Sequence, residues 1–329
     1  MKSYKIIFSC LLFLSGGIIS AFQQSYNPLS LPDGFKTNTI DLTVHDSARQ
    51  RDMPIRVYLP QSTEPAPVVI FSHGLGGSRE MYVYLGKHWS ARGYLCVFVQ
   101  HPGSDDSVWK NKLPFQRLIS LKKAANLQNF LLRVKDVSAV IDQLEVWNKT
   151  ENGPLFNRMD LNNIGMAGHS FGAVTTQAVS GEIFQNGKIS FTDKRIKAAI
   201  AMSPSAATKG NNPETAFGSV NIPWLLMTGT KDVAPVGNQT AESRLEVFPY
   251  LPSRNKYQLV LNNAEHSAFT DRPLPGDKEQ RNPNHHKVIL ALSTAFWDAY
   301  LKSDQSAKEW LNGSGPSSIL QKDDRLQLK

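Results

Sequence analysis

Apolar positions along the chain follow two rhythms. Near-continuous runs such as residues 67–72 (PVVIFS) and 94–99 (YLCVFV) read as strands buried on both faces. Residues 126–147 instead place Phe130, Val134, Val137, Ile141 and Leu144 three and four apart, the stripe of an amphipathic helix. Segments 39–45 and 55–59 read as an initial antiparallel pair. After strand 67–72 the chain predicts a helix over 78–92, strand 94–99, helix 126–147 and strand 163–167. A helix from 173, strands over 197–202, 224–228 and 256–261, and a closing helix over 286–301 complete the series. This alternation predicts an α/β fold with a mostly parallel central sheet flanked by helices. No repeat or low-complexity linker interrupts it, so residues 22–329 read as one domain, with a polar and partly loose tail from about 303.

The first residues follow a different pattern. Lys2 and Lys5 precede an apolar run over 6–14, then small residues through Ser20 and Ala21. This is the layout of a signal peptide spanning 1–21, which implies export to a periplasm or the medium. The run is short for a spanning helix, and none elsewhere approaches that length, so no stable membrane insertion is expected after cleavage. Cys10 falls in the signal. Cys96 is then the one cysteine of the mature chain; it lies in a strand run and reads as a core residue. The chain is long enough, at 41% hydrophobic over its full 329 residues, to bury one sizeable core. The net charge of +8 is scattered apart from a modest cluster at Arg117, Lys122 and Lys123. That cluster reads as solvated surface with scope for attraction to anionic surfaces. The chain has no nucleic-acid motif, CxxC, HExxH or phosphate loop. His285 and His286 open a helix without nearby carboxylate or cysteine ligands, so neither metal nor cofactor is expected.

Candidate chemistry centres on Gly168-His169-Ser170-Phe171-Gly172, a G-x-S-x-G sequence between an apolar strand and a helix. That context suits a nucleophile elbow, whose serine sits on a sharp turn with its hydroxyl exposed. A serine hydroxyl needs a histidine base, and the base needs a carboxylate to fix its tautomer and stabilise its cation. In α/β hydrolases the chain order is Ser, Asp/Glu, His. Asp232 follows strand 224–228 and its turn, and His266 follows strand 256–261, at spacings of 62 and 34 residues. Asp232 alone could instead cap a helix beginning near Gly237, and His266 could be a loop histidine. Of the rivals, His45 precedes the core strands, His88 is mid-helix, and Asp271 and Asp277 follow His266, in the wrong order. Two backbone N–H groups should form an oxyanion hole. Phe171 supplies one; Leu75, in the loop Ser72-His73-Gly74-Leu75-Gly76-Gly77, is the first choice for the other and Gly74 the reserve. His73 reads as a brace of that loop and His169 as support or pocket lining. Segments 103–109, with Trp109, and 181–191 are candidate pocket walls, and Gly74, His169 and Trp109 are the substrate-contact candidates.

At these residues the chain resembles a known group. The loop from Ser72 to Glu80 (SHGLGGSRE), Gln100 to Asp106 (QHPGSDD), the elbow, Asp193 to Ala198 (DKRIKA) and Ala295 to Leu301 (AFWDAYL) are similar to α/β hydrolases described as dienelactone hydrolase-like. That group is related to platelet-activating factor acetylhydrolases, chlorophyllase-like esterases and bacterial polyester hydrolases. The resemblance covers about residues 42–311 and implies the α/β-hydrolase fold. True dienelactone hydrolases carry a cysteine nucleophile, whereas this elbow carries Ser170, which favours carboxylic-ester hydrolysis. The resulting expectation is a cofactor-free serine esterase with Ser170, Asp232 and His266 as its triad, acting on a small-molecule or polymeric ester and not on nucleic acid. Polyester, phospholipid or other lipid ester, lactone and amide substrates all stay open. So does a catalytically silent binding protein on the same fold.

Overall fold

The computed structural model describes residues 26–274 and 276–329. The expected signal peptide and Cys10 lie outside them. The chain builds strands β1 (Asn38–Asp46), β2 (Arg51–Leu59) and β3 (Ala66–Ser72), then helix α1 (Val83–Ala91), β4 (Leu95–Val99), α2 (Pro114–Ala124) and α3 (Leu127–Lys149). Next come β5 (Met159–His169), α4 (Phe171–Val179), a short hairpin of β6 (Ile183–Phe184) and β7 (Ile189–Ser190), β8 (Ile196–Met202) and α5 (Pro213–Phe217). β9 (Trp224–Lys231), β10 (Lys256–Glu265), α6 (Pro283–Leu301), α7 (Gln305–Asn312) and β11 (Arg325–Leu328) complete it.

Nine strands form one sheet in the order β1-β2-β4-β3-β5-β8-β9-β10-β11. The six from β4 to β10 run parallel; β1, β2 and β11 are antiparallel additions at the two edges. Strand–helix alternation predicted the mostly parallel sheet with its flanking helices, and the arrangement is the α/β-hydrolase one that the resemblance implied. β3 is the turning point. The chain moves outward to β4, then returns across β3 to β5 and continues the other way. The loops leaving β3 and β5 therefore diverge at the strands' carboxyl ends and open a crevice there. Helices cover both faces: Trp89 of α1 and Trp297 of α6 pack on one, and Val137, Ile141 and Leu144 of α3 on the other. Cys96 is fully buried in β4, and burial pushes its thiol well above the ordinary range.

The expected loose tail is ordered instead. Asp304 caps α7 by accepting from the Ala307 N–H at 3.1 Å, and Ala307 and Leu311, four apart, are buried. The chain then returns to pair β11 with β10, Tyr257 opposite Leu328. The stretch reads as polar because few of its residues touch the core: Ala307 and Leu311 of the short helix, with Ile319, Leu320 and Leu326 packed against it only in part. Among the described residues no helix is long and apolar enough to cross a membrane.

Candidate active site

The elbow between β5 and α4 is built by exclusion. A Cβ at Gly172 would overlap the Ser72 carbonyl of β3, and one at Gly168 would overlap the Gly172 carbonyl. Only glycine lets the turn approach β3 so closely. Ser170 takes φ 57°, a left-handed conformation uncommon for a side-chain-bearing residue. Its N–H is held by the Met202 carbonyl of β8 at 2.9 Å. The strain is paid for by neighbours on both sides, and the serine side chain is left at the crevice, partly exposed.

His266 follows β10 directly, because that strand runs to Glu265 with a register shift after Leu261. Its Nε2 lies 2.9 Å from Ser170 Oγ and its Nδ1 2.6 Å from Asp232 Oδ1. A carboxylate only accepts, so Nδ1 carries the proton and Nε2 turns a lone pair toward the serine. Asp232 is fully buried just after β9. Thr228 Oγ1 donates to its Oδ2 at 2.9 Å, and the Arg244 guanidinium lies 3.1 Å from its Oδ1. Burial acts to raise the Asp232 pKa; His266 and Arg244 together outweigh it and hold the carboxyl well below its usual range. Arg244 is itself buried and fixed by the Ser203 and Pro204 carbonyls, each at 2.9 Å. The rival carboxylates are engaged elsewhere. Asp271 accepts from the Val83 and Tyr84 N–H groups at the start of α1, and Asp277 accepts from Ser267 Oγ and the Leu274 N–H.

The loop after β3 meets the elbow across the crevice. The Gly74 N–H is already used, donating to Tyr82 Oη at 3.2 Å. Gly76 N–H donates to Ser104 O and Gly77 N–H to Gly74 O. The N–H groups of Leu75 and Phe171 have no acceptor among the described residues. His169 is buried, so it offers little surface to a substrate. Tyr82 Oη contacts its Nδ1 at 3.0 Å, and its ring packs on His266 with centroids 4.5 Å apart. Trp109 is partly exposed beside the loop and donates from Nε1 to the Gly76 carbonyl at 2.8 Å. Residues 181–191 form the β6–β7 hairpin, whose Phe184 and Phe191 pack on Phe130. His285 bonds the Asn262 carbonyl and His286 stacks on Tyr84, so the pair serves packing. Among the described residues no group of three His, Cys, Asp or Glu side chains is placed to hold a metal.

A buried polar network under the loop was not visible in the sequence. Arg133, on the buried face of α3, donates to His73 O at 2.7 Å, Ser104 Oγ at 2.8 Å and Ser72 Oγ at 3.2 Å. Its guanidinium also lies 4.5 Å from the centre of the Phe171 ring. One cation thus touches the Phe171 ring and braces the loop that carries Leu75 through the His73 carbonyl. Beside it, Ser72 Oγ, His101 Nε2 and Asp136 Oδ2 form a second Ser–His–Asp chain at 2.9 and 3.0 Å. All three are completely buried, and Asp136 is clamped by Arg49 and Arg51, so this chain is structural. The available signal was the appearance of Arg133 and Asp136 on the same helical stripe as Phe130, Val134 and Val137.

Burial, reinforced by Arg133, lowers the His101 pKa to about 4, against the opposing pull of Asp136. Burial likewise holds His73 and His169 well below the ordinary value. In the unfolded chain these rings regain a pKa of about 6.5. Between about pH 6.5 and 4 the unfolded state therefore binds more protons, and stability falls as pH is lowered through that window. For His101 the effect is about 3 kcal/mol across it, and His73 and His169 act in the same direction. The urea midpoint is expected to be clearly lower at pH 5 than at pH 7. An equal or higher midpoint at pH 5 would show that these rings are not held neutral.

Comparison with known proteins agrees with this architecture. A family model described as PET hydrolase-like matches residues 118–274, a window containing Ser170, Asp232 and His266. One described as platelet-activating factor acetylhydrolase, isoform II, matches residues 49–113, which include the loop from Ser72 to Gly77. Platelet-activating factor acetylhydrolase of Cavia porcellus is 22% identical over 298 residues, 79% of this chain and 62% of that protein. The Gallus gallus protein of the same name is 22% identical over 309 residues, 78% of this chain and 68% of its own length. The chain thus spans about three fifths of the guinea-pig relative it matches. The chain is thus similar both to platelet-activating factor acetylhydrolases and to PET hydrolase-like proteins, and its sheet is that of the α/β-hydrolase fold.

Proposed function

We propose that the protein is a cofactor-free serine hydrolase of carboxylic esters, with Ser170 as nucleophile, His266 as base and Asp232 as the group that orients it. The observation that carries this reading is the unbroken relay from Ser170 Oγ through both His266 nitrogens to Asp232. Ser170 Oγ attacks the ester carbonyl carbon as its proton passes to His266 Nε2. The imidazolium is stabilised by Asp232, and the carbonyl oxygen, now negative, accepts from the N–H groups of Leu75 and Phe171. His266 returns the proton to the departing alkoxide, leaving an acyl group on Ser170. Water then gives a proton to His266 and attacks the acyl carbon, and the serine is released with its proton restored.

An organophosphonate ester tests the assignment. It should label one residue, and peptide mass spectrometry should place the adduct on Ser170. Labelling of another serine would overturn the reading, and no labelling at all would favour a silent binding protein. We further propose that residues 22–329 act as one exported domain, on the strength of the Lys2/Lys5 and 6–14 pattern. N-terminal sequencing of the exported protein should start near Phe22; recovery of intact Met1 in the cytoplasm would refute export.

A further inference from the structure

Helix α2 is packed the wrong way round for a soluble protein. Its one buried residue is Ala124, with Leu121 half-buried against Gly76 of the loop after β3. At about 100° per residue, Phe115, Leu118 and Ile119 fall on the opposite, outward face. They are 69%, 47% and 53% exposed, and Leu113 and Leu127 at the two ends of the helix are 59% and 70% exposed. These five are half of all the large exposed apolar side chains in the described structure, gathered in fifteen residues. Scattered exposed leucines need no explanation, but a contiguous set on one helix does.

The charges that this segment itself carries have one sign. From Ser107 to Lys135 the sequence contains no Asp or Glu, while Lys110, Lys112, Arg117, Lys122 and Lys123 all lie on or beside α2. Lys110 is paired with Asp106, and Arg117 lies over the Trp109 ring. Lys112, Lys122 and Lys123 form no ion pair among the described residues. Lys122 sits one turn beyond Leu118 and Ile119, on the same outward face. Apolar side chains ringed by unpaired lysines complement a surface that is negatively charged outside and apolar within. A neutral apolar partner would leave those lysines without a counterpart.

We infer that α2 is an interfacial docking helix for an anionic lipid surface, and that it sets the crevice of Ser170 against esters held in that surface. The second half rests on the proposed hydrolase reading; the first does not. The link is direct, since Trp109 and Leu121 tie α2 to Gly76, the neighbour of Leu75. Docking through the outward face leaves these inward contacts intact.

Flotation of the full chain with phosphatidylglycerol vesicles, and with phosphatidylcholine vesicles, tests the surface. Binding is expected to the anionic vesicles and to fall as salt rises. Phe115→Ser/Leu118→Ser/Ile119→Ser should abolish it, and Lys122→Gln/Lys123→Gln should weaken it by at least about tenfold. Ser170→Ala should float like the unaltered chain, which separates failure of the surface from failure of the catalytic reading. The hydrolysis of an ester dispersed in anionic vesicles should fall with binding in the α2 variants, while turnover of a dissolved short-chain ester stays unchanged. Equal binding to phosphatidylcholine, salt-independent adsorption to a neutral polyester film without vesicle binding, or a dimer that the triple-serine variant dissociates would each overturn the inference. Vesicle binding unaltered by the α2 substitutions would do the same.

Discussion

Ser170→Ala is expected to reduce kcat on a carboxylic ester by about 10⁶, with the fold intact. The size follows from removing the only atom that can form the acyl intermediate; loss of the nucleophile in a comparable serine enzyme costs about that much. What survives should be a small rate over water from the oxyanion donors and substrate positioning, on the order of 10³. The variant should fold because Ser170 contributes little beyond its hydroxyl. Its N–H bond to Met202 belongs to the backbone and is retained, and alanine meets φ 57° at a cost similar to serine's. Far-UV circular dichroism and the thermal midpoint should therefore match the parent protein. Near-parental turnover by a folded Ser170→Ala protein would sink the proposed chemistry. A protein that fails to fold would show the hydroxyl to be structural, and Ser170→Cys, which keeps the shape, would then carry the test.

Much of the frame behind this expectation was legible in the residues. Parallel strands buried on both faces appear as continuous apolar runs, so 67–72 and 94–99 stood out and became β3 and β4. The elbow was legible because the close approach of α4 to β3 allows nothing larger than glycine at 168 and 172. Other features depend on tertiary contacts that leave no periodic trace. The helix expected over 78–92 starts only at Val83. Tyr82 just before it takes φ 64°, while its hydroxyl joins Gly74 to His169, and Asp271, 188 residues away, caps the helix. The network of Arg133, His101 and Asp136 was hidden because its hydrogen-bond partners lie far apart in sequence, in α3, the end of β3 and the loop after β4, and only the place of Arg133 and Asp136 on the apolar stripe of α3 left a local trace. Helix α2 was passed over for a physical reason of its own. Its apolar stripe faces outward, so it does not join the core pattern from which helices are recognised.

Asp232→Asn is the second large effect expected, and its size depends on which way the new amide turns. In the serine-protease example the same change costs about 10⁴ in kcat, because the amide stabilises the wrong histidine tautomer. Here the surroundings of the carboxylate favour the other orientation. The Arg244 guanidinium lies 3.1 Å from Oδ1, the oxygen that accepts from His266, so placing an NH₂ group there would set donor against cation. Oδ2 accepts from Thr228 Oγ1, a hydroxyl that can rotate to accept instead of donate. Asparagine should therefore keep its oxygen toward His266 and preserve the productive tautomer, losing only the charge that stabilises the imidazolium. The expected fall in kcat is between about 10² and the 10⁴ of the inverted case. Asp232→Ala should fall further, since it also strands Arg244 as a buried cation without its carboxylate. Asp271→Asn and Asp277→Asn should retain turnover, because their carboxylates hold the start of α1 and the loop after His266 and do not touch the imidazole. Measuring kcat for the four variants on one ester decides the matter. If Asp232→Asn turns over like the parent while Asp277→Asn collapses, Asp232 is not the residue that orients His266.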